Sequence, residues 1–174
     1  KSNESVMYIT QGFIASSVSP KTTTTLGREG SDFSAAIFAN CLEAEELTIW
    51  KDVDGLRNAD PKRFPDTKKI EHLSYFEAIE LAFYGASVIH PKTLKPLQNK
   101  NIPLKVRSFL DTSLRPSIID GTKEYIEYVP SFIVKEKQTL MSITPKDYSF
   151  MNEHNRALIF NIMDELNLHA NMTQ

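Results

Sequence analysis

The chain has 174 residues, 41% of them hydrophobic, with 20 basic and 22 acidic side chains and a net charge of −2. Such a composition can bury a sizeable core, and it lacks the basic excess that a nucleic-acid-binding face requires. No apolar run approaches the roughly 20 residues of a membrane-spanning helix, and no signal peptide is visible at a start that looks truncated. The single Cys41 can form no internal disulfide, which suits a reducing cytoplasm.

Val6–Thr10 is β-branched and aromatic and predicts a short buried strand. Residues 22–32, Thr-Thr-Thr-Thr-Leu-Gly-Arg-Glu-Gly-Ser-Asp, form a hydroxyl- and glycine-rich turn that runs into an apolar periodic stretch. Phe33, Ala36, Ile37, Asn40 and Cys41 recur at helical spacing, so a helix is predicted over Ser31–Leu42 with Ser31 as its N-cap. Cys41 falls on that stripe and reads as a buried thiol. Free N–H groups and the positive end of the helix dipole favour an anion in the preceding loop, phosphate or carboxylate. By itself, Gly-x-x-Gly-Ser-Asp reads equally well as an ordinary loop before a helix.

Leu47–Asp52 predicts a second strand, with Asp52-Val53-Asp54-Gly55 as its turn. Strand and helix alternate, which points to βαβ units and a mostly parallel sheet. Ser74 and Glu77 make a capping box, followed by the stripe Tyr75, Ala78, Ile79, Ala82 and Phe83, and Gly85 ends the helix. Pro91–Lys100 predicts a short helix opened by Pro91 and strained by Pro96. Leu104–Ser108 and Ser117–Ile119 are predicted strands. The polar, turn-rich residues 110–130, with Pro116, Gly121 and Pro130, mark a domain boundary. Beyond it, Gln138–Thr144 and Leu168–Met172 are predicted strands. Between them Leu158, Ile159, Ile162, Met163 and Leu166 form a helix stripe. One βαβ unit of that size cannot cover its own sheet face, so this tail requires further residues or a partner.

Four motifs stand in order: Thr10-Gln11-Gly12-Phe13-Ile14; the turn ending in Gly30-Ser31-Asp32; Thr48–Leu56 with Asn58-Ala59-Asp60-Pro61-Lys62; and Leu73–Pro91. Together they resemble aspartate kinase of the amino acid kinase superfamily. The resemblance makes residues 1–120 the carboxyl-terminal half of the catalytic domain, 121–134 a linker, and 135–174 the start of an ACT regulatory region. The fold it implies is α/β, a three-layer sandwich with a mostly parallel sheet, plus a partial α+β ACT-like region. The activity it implies is transfer of the ATP γ-phosphoryl group to the β-carboxylate of L-aspartate with Mg²⁺, the opening step toward lysine, threonine and methionine. It further implies feedback by lysine or threonine and a homodimer or higher homo-oligomer joined through the ACT region.

The resemblance carries over residue by residue. Asp32 takes the catalytic role. Arg28, Ser31 and Phe13 take the substrate aspartate. Lys51, Asp52, Arg57, Lys62 and Ser87 contact ATP, and no residue is assigned to a metal. Read without the resemblance, Arg28 can fork onto a carboxylate, and Asp52 ends a strand where open α/β sheets bind ligands. Asp32 reads as a first-turn carboxylate that suits the helix dipole. It would repel phosphate, so its better role is to organise nearby donors and cations, or to act as a Mg²⁺-linked acid. Phe13 reads as a core aromatic, and Lys51 and Arg57 as members of a solvated turn.

Some positions depart from the family pattern. Arg57 stands where an aromatic residue is frequent, Lys62 where arginine is usual, and Ser87 where many members have lysine. Glu29 replaces a common glycine and must point outward, or it weakens an anion site. His90 reads as a strand-end turn residue, and His72, His154 and His169 lack metal-ligand spacing. The family's opening Lys-Phe-Gly-Gly-Thr/Ser segment is not in the chain, so these 174 residues alone are expected to be inactive. Two alternatives remain. One is another amino acid kinase, such as a glutamate or acetylglutamate kinase, against which Arg28, Gly30-Ser31-Asp32 and the tail speak. The other is a non-catalytic amino-acid-sensing and dimerisation module.

Overall fold

The computed structural model describes residues 6–86, 89–122, 129–146 and 149–174. The chain divides into two compact units, residues 1–134 and 135–174. In the first, the elements run β1 (Ile14–Ser16), β2 (Thr23–Thr25), α1 (Gly30–Leu42), β3 (Leu47–Lys51), β4 (Leu56–Arg57), β5 (Lys69–Ile70) and β6 (His72–Ser74). They continue with α2 (Tyr75–Tyr84), α3 (Pro91–Lys100), β7 (Leu104–Ser108) and β8 (Ser117–Asp120). The second unit holds α4 (Glu153–Glu165).

A four-stranded sheet in the order β3-β7-β8-β6 carries the first unit. β3 pairs with β7 in parallel, β6 with β8 in parallel, and β7 with β8 antiparallel. The fold is therefore α/β on a mixed, mostly parallel sheet. Side chains alternate across a strand, and here the alternation is clean. Ile49, Leu73, Leu104, Val106 and Ile119 are buried in one cluster with Ala36, Ala39, Ala78, Leu94 and Leu97 of the three helices. The alternate residues Thr48, Lys105, Arg107 and Ile118 are half-buried and Trp50 is exposed. The described residues thus supply one helical layer.

Local chemistry accounts for α2 and α3. The Ser74 hydroxyl accepts from the Glu77 N–H, and the Glu77 carboxylate accepts from the Ser74 N–H, so the predicted capping box is closed. Gly85, at φ 119°, ends the helix where a Cβ would be strained. In α3 Pro91 occupies the first turn and His90 Nδ1 accepts from the Lys92 N–H. Pro96 sits inside the helix, and its carbonyl accepts from Asn40 Nδ2 of α1 at 2.7 Å.

Several expectations are corrected. Val6–Thr10 is exposed and forms no strand; pairing begins instead at Ile14, in a hairpin with Thr23–Thr25. Three of the four threonines thus belong to β2, and only Leu26–Glu29 is left as the turn before the helix. α1 starts at Gly30, and its cap is Glu29 in the left-handed region (φ 54°) with no side-chain cap bond, so Ser31 is not the N-cap. The buried face of α1 is Gly30, Ser34, Ala36 and Ala39, and Cys41 is exposed. α1 packs closely on α3 and β3, which selects small residues for that face and turns Ile37, Phe38 and Leu42 outward.

In the second unit Asn152 caps α4 by accepting from the Asn155 N–H at 2.9 Å. No residue of α4 is buried. Gln138–Thr144 and Leu168–Met172 form no ladder among the described residues. Side-chain bonds join these stretches instead, from Lys135 to Asn171 and from Asn171 to Gln138. Two short strands without a third are marginal in water. Among the described residues no helix is long and apolar enough to cross a membrane.

Candidate active site

The start of α1 is a crowded corner. A Cβ on Gly30 would lie 2.6 Å from Phe13 Cδ2 and 3.0 Å from Leu26 Cβ, and one on Gly12 would lie 3.2 Å from Ser31 Cα. Glycine is needed at both points so that the Phe13 ring can lie against position 30 and position 12 against Ser31. Phe13 itself adopts φ 72°, a costly conformation for an aromatic residue. It is pinned on both sides: its N–H donates to Ser34 Oγ at 3.0 Å and its carbonyl accepts from the Leu26 N–H at 2.9 Å. Ser34 Oγ in turn donates to the Gly30 carbonyl at 2.9 Å. A residue held this firmly in a strained conformation beside a helix N-terminus is a candidate for a functional position.

Arg28 is exposed in the turn that the Gly30 N–H closes onto the Gly27 carbonyl at 3.1 Å. Glu29 does not simply point outward. Its Oε2 is buried and has no hydrogen-bond partner, which puts an uncompensated acceptor beside the helix start.

Asp32, in the first turn of α1, meets Lys51 at the carboxyl end of β3. Lys51 Nζ donates to Asp32 Oδ2 at 2.7 Å, with the side chains 23% and 14% exposed. This pair lies where a helix N-terminus and a parallel strand end converge, the usual ligand position of open α/β sheets. The Phe109 N–H donates to the Lys51 carbonyl at 2.9 Å, which fixes the strand end from β7.

The loop after β3 is tied down just as specifically. Arg57 forks onto Asp54, with Nε to Oδ1 at 3.0 Å and Nη2 to Oδ2 at 2.7 Å, while Nη1 donates to the Thr67 carbonyl and hydroxyl at 2.9 Å. The Arg57 guanidinium holds the Asp54 carboxyl below its usual range. With four hydrogen bonds made to Asp54 and Thr67, Arg57 offers a ligand chiefly the face of its guanidinium and one remaining N–H of Nη2. Gly55 at φ 134° passes against Ser117, where a Cβ would lie 2.5 Å from Oγ. Ser117 Oγ accepts from the Leu56 N–H at 2.9 Å and donates to the Ile70 carbonyl at 2.6 Å, closing β4 onto β5. Asp52 and Lys62 are exposed at the rim. Ser87 lies outside the described residues.

Of the sequence-derived candidates, the structure joins Asp32 to Lys51 and sets the Phe13 ring against Gly30, the neighbour of Ser31. Arg28, Asp52 and Lys62 stand on exposed turns, and Arg57 bonds within its own loop. Sequence reasoning passed over Ser34 and Ser117. Both are small hydroxyl residues on apolar faces, where periodicity hides them. Among the described residues there is no group of three His, Cys, Asp or Glu side chains able to hold a metal ion.

The profile of the amino acid kinase family matches residues 2–108, and the chain belongs to that family. Within it the chain is similar to aspartokinases. It is 44% identical over 117 residues to the chloroplastic bifunctional aspartokinase/homoserine dehydrogenase 2 of Arabidopsis thaliana, a match covering 67% of this chain and 13% of that protein. It is 33% identical over 144 residues to Arabidopsis chloroplastic aspartokinase 3, covering 82% and 26%. The crystal structure of E. coli aspartokinase III with aspartate and ADP (R-state) matches with a TM-score of 0.63 at 40% identity, over 66% of this chain and 26% of that one. The same enzyme with lysine and aspartate (T-state) matches with a TM-score of 0.56. The chain therefore spans between 13% and 26% of the length of these relatives.

Proposed function

We propose that residues 1–120 are the carboxyl-terminal half of an aspartate kinase catalytic domain, 121–134 a linker and 135–174 the beginning of an ACT-like regulatory region. The whole protein then transfers the γ-phosphoryl group of ATP to the β-carboxylate of L-aspartate. The observation that carries this reading is the Asp32–Lys51 pair at the joint of α1 and β3. Similarity to an aspartokinase that binds aspartate and ADP supports it.

In the reaction an oxygen of the β-carboxylate attacks the γ-phosphorus. The bond from that phosphorus to the β,γ-bridging oxygen breaks, and ADP leaves with the electron pair. Aspartate's β-carboxylate is already ionised near pH 7, so no base is required. Catalysis then rests on positioning and on compensating charge. Asp32 fixes Lys51, whose ammonium faces the site with the α1 N-terminus as a second positive element. Arg28 and Ser31 hold the substrate's carboxylate end and Phe13 walls the pocket. Lys51, Asp52, Arg57, Lys62 and Ser87 line the nucleotide side. Mg²⁺ at such sites rides mainly on phosphate oxygens with one or two carboxylates. The described residues make no metal cage and Asp32 is engaged by Lys51, so no step here runs through the metal.

The test is formation of aspartyl phosphate, trapped as its hydroxamate, by the full-length protein with ATP and L-aspartate. Absence of that product from folded protein sinks the reading. Arg28→Ala should raise the aspartate KM by about 10- to 100-fold with little change in kcat. A charge-assisted bond to a carboxylate held in both ground and transition states is worth roughly 1.5–3 kcal/mol. An unchanged aspartate KM would remove Arg28 from the pocket.

Regulation by lysine or threonine, and a homodimer or larger homo-oligomer, belong to the same proposal. The E. coli relative's structure with lysine supports the first. The second is supported by α4 and its C-cap, where Leu158, Ile162 and Leu166, four residues apart on one face, are 54%, 46% and 63% exposed, since apolar helix faces of this kind gain by being covered. Deleting the chain from residue 135 onward should lower the mass seen by light scattering, and an oligomer that survives the deletion refutes the placement. The compartment we propose is the cytoplasm, where the exposed thiol of Cys41 stays reduced.

A further inference from the structure

Arg28 and Glu29 are consecutive residues of opposite charge at the start of α1. They do not pair with each other. Among the described residues neither side chain has a hydrogen bond or an ion pair. Arg28 is exposed. The Glu29 carboxylate is divided: Oε2 is buried without a donor, and Oε1 is not buried.

The helix does not use this carboxylate. An acid at a helix start ordinarily caps it through the side chain, but Glu29 makes no side-chain cap bond. Only its carbonyl serves α1, accepting from the Phe33 N–H at 3.1 Å. Glu29 also stands at φ 54°, where glycine would be less strained. A glutamate in a left-handed position with an orphaned oxygen carries two costs that its own contacts do not offset. A cation arriving with a substrate would offset the second.

Two such cations come to the proposed reaction, the ammonium of the amino acid and the metal ion of the nucleotide. The neighbour decides between them. An α-amino acid holds carboxylate and ammonium on one carbon. A receptor for it sets a cationic donor beside an anionic acceptor and leaves both unpaired until it binds. Arg28 and Glu29 have that arrangement. A Mg²⁺ ion seeks oxygen ligands, and the Arg28 guanidinium beside it would be a repelling charge.

We propose that Arg28 and Glu29 together receive the zwitterionic head of the amino-acid substrate, Arg28 its α-carboxylate and Glu29 its α-ammonium. Glu29 is then the residue that selects an α-amino acid over a plain dicarboxylic acid, because a ligand without the ammonium leaves the carboxylate unpaired. With the head fixed by both its charges, the β-carboxylate is the end left to meet the nucleotide. The inference rests on the assignment of Arg28 to the aspartate pocket in the proposed function.

Glu29→Gln and Glu29→Gly in the full-length protein test it. Glycine suits φ 54°, so Glu29→Gly is the deciding variant should Glu29→Gln fail to fold. Both should raise the aspartate KM about tenfold, the loss of one charge-assisted bond, with the ATP KM within about twofold of wild type. Succinate, which keeps both carboxylates and lacks the ammonium, is the probe. Its inhibition constant against aspartate should stay within about twofold of wild type, so that selectivity for aspartate over succinate falls about tenfold. Ligand-free Glu29→Gly should melt no lower than wild type, since the change removes an orphaned acceptor. A lower melting temperature with the aspartate KM unchanged makes Glu29 structural and overturns the inference. A raised requirement for Mg²⁺ at an unchanged aspartate KM assigns Glu29 to the metal and overturns it too. In both cases the proposed function stands. If folded wild type forms no aspartyl phosphate from ATP and L-aspartate, the proposed function falls and this inference falls with it.

Discussion

Asp32→Asn should lower kcat by about two to three orders of magnitude while the aspartate KM moves little. The substitution keeps shape and removes charge, so Lys51, now 2.7 Å from a carboxylate, loses the partner that fixes it. Its ammonium is then free to leave the position where charge develops during transfer. Removing one preorganised electrostatic element of this kind costs about 10²–10³ in rate. Lys51→Met should cost a similar factor, and the double variant should be no worse than the poorer single one, because both changes break one device. Steady-state kinetics of the three proteins, with circular dichroism to confirm folding, checks the whole cycle. A kcat within threefold of wild type for Asp32→Asn removes Asp32 from the catalytic role.

Gly30→Val should damage stability and substrate binding together. Its Cβ would meet Phe13 at 2.6 Å and Leu26 at 3.0 Å. The Phe13 backbone cannot yield easily, since it is held at φ 72° by bonds to Ser34 and Leu26. Either the ring swings out or α1 shifts. We expect a loss of about 3 kcal/mol, the upper part of the usual overpacking range, seen as a melting midpoint lowered by several degrees. We also expect an aspartate KM raised at least about tenfold, as misplacement of a positioning group implies. If the midpoint falls with the aspartate KM unchanged, Phe13 is a packing residue and not part of the pocket.

Much of the first unit was legible in the sequence because its signals are local. Ser74 with Glu77, Gly85, and Pro91 each state a helix end through the hydrogen bonds of one turn, and the structure places those ends where they read. β7 was legible in the alternating Leu104-Lys105-Val106-Arg107-Ser108, and β8 as a short run around Ile118 and Ile119, although there the buried residues include Ser117. The start of α1 was misread because Ser31 is a good cap by type, whereas the corner needs glycine at position 30 to admit Phe13. That requirement comes from a residue far away in the chain. The exposure of Cys41 has the same origin: the stripe Phe33, Ile37, Cys41 has helical spacing, but close packing on α3 favours the alanine face beside it. Val6–Thr10, Gln138–Thr144 and Leu168–Met172 have strand composition without a ladder, since composition supplies no partner strand. In the candidate site, residue types marked Arg28, Asp32 and Asp52, but the Asp32–Lys51 pairing and the strain at Phe13 depend on how α1 meets β3 and the hairpin, which no spacing encodes.

Cys41 gives the chain a built-in reporter. It is the single cysteine of these 174 residues, its thiol is exposed, and it stands on the same helix as Asp32. Nine helical steps of 1.5 Å put the two Cα atoms about 14 Å apart. A fluorophore or nitroxide attached there through a maleimide would sit outside the crowded corner yet close enough to sense a bound nucleotide by energy transfer or paramagnetic broadening. Because α1 is one rigid rod joined to α3 through the Asn40–Pro96 bond, a signal at Cys41 follows the movement of the helix that carries the acid, with no engineered residue between them.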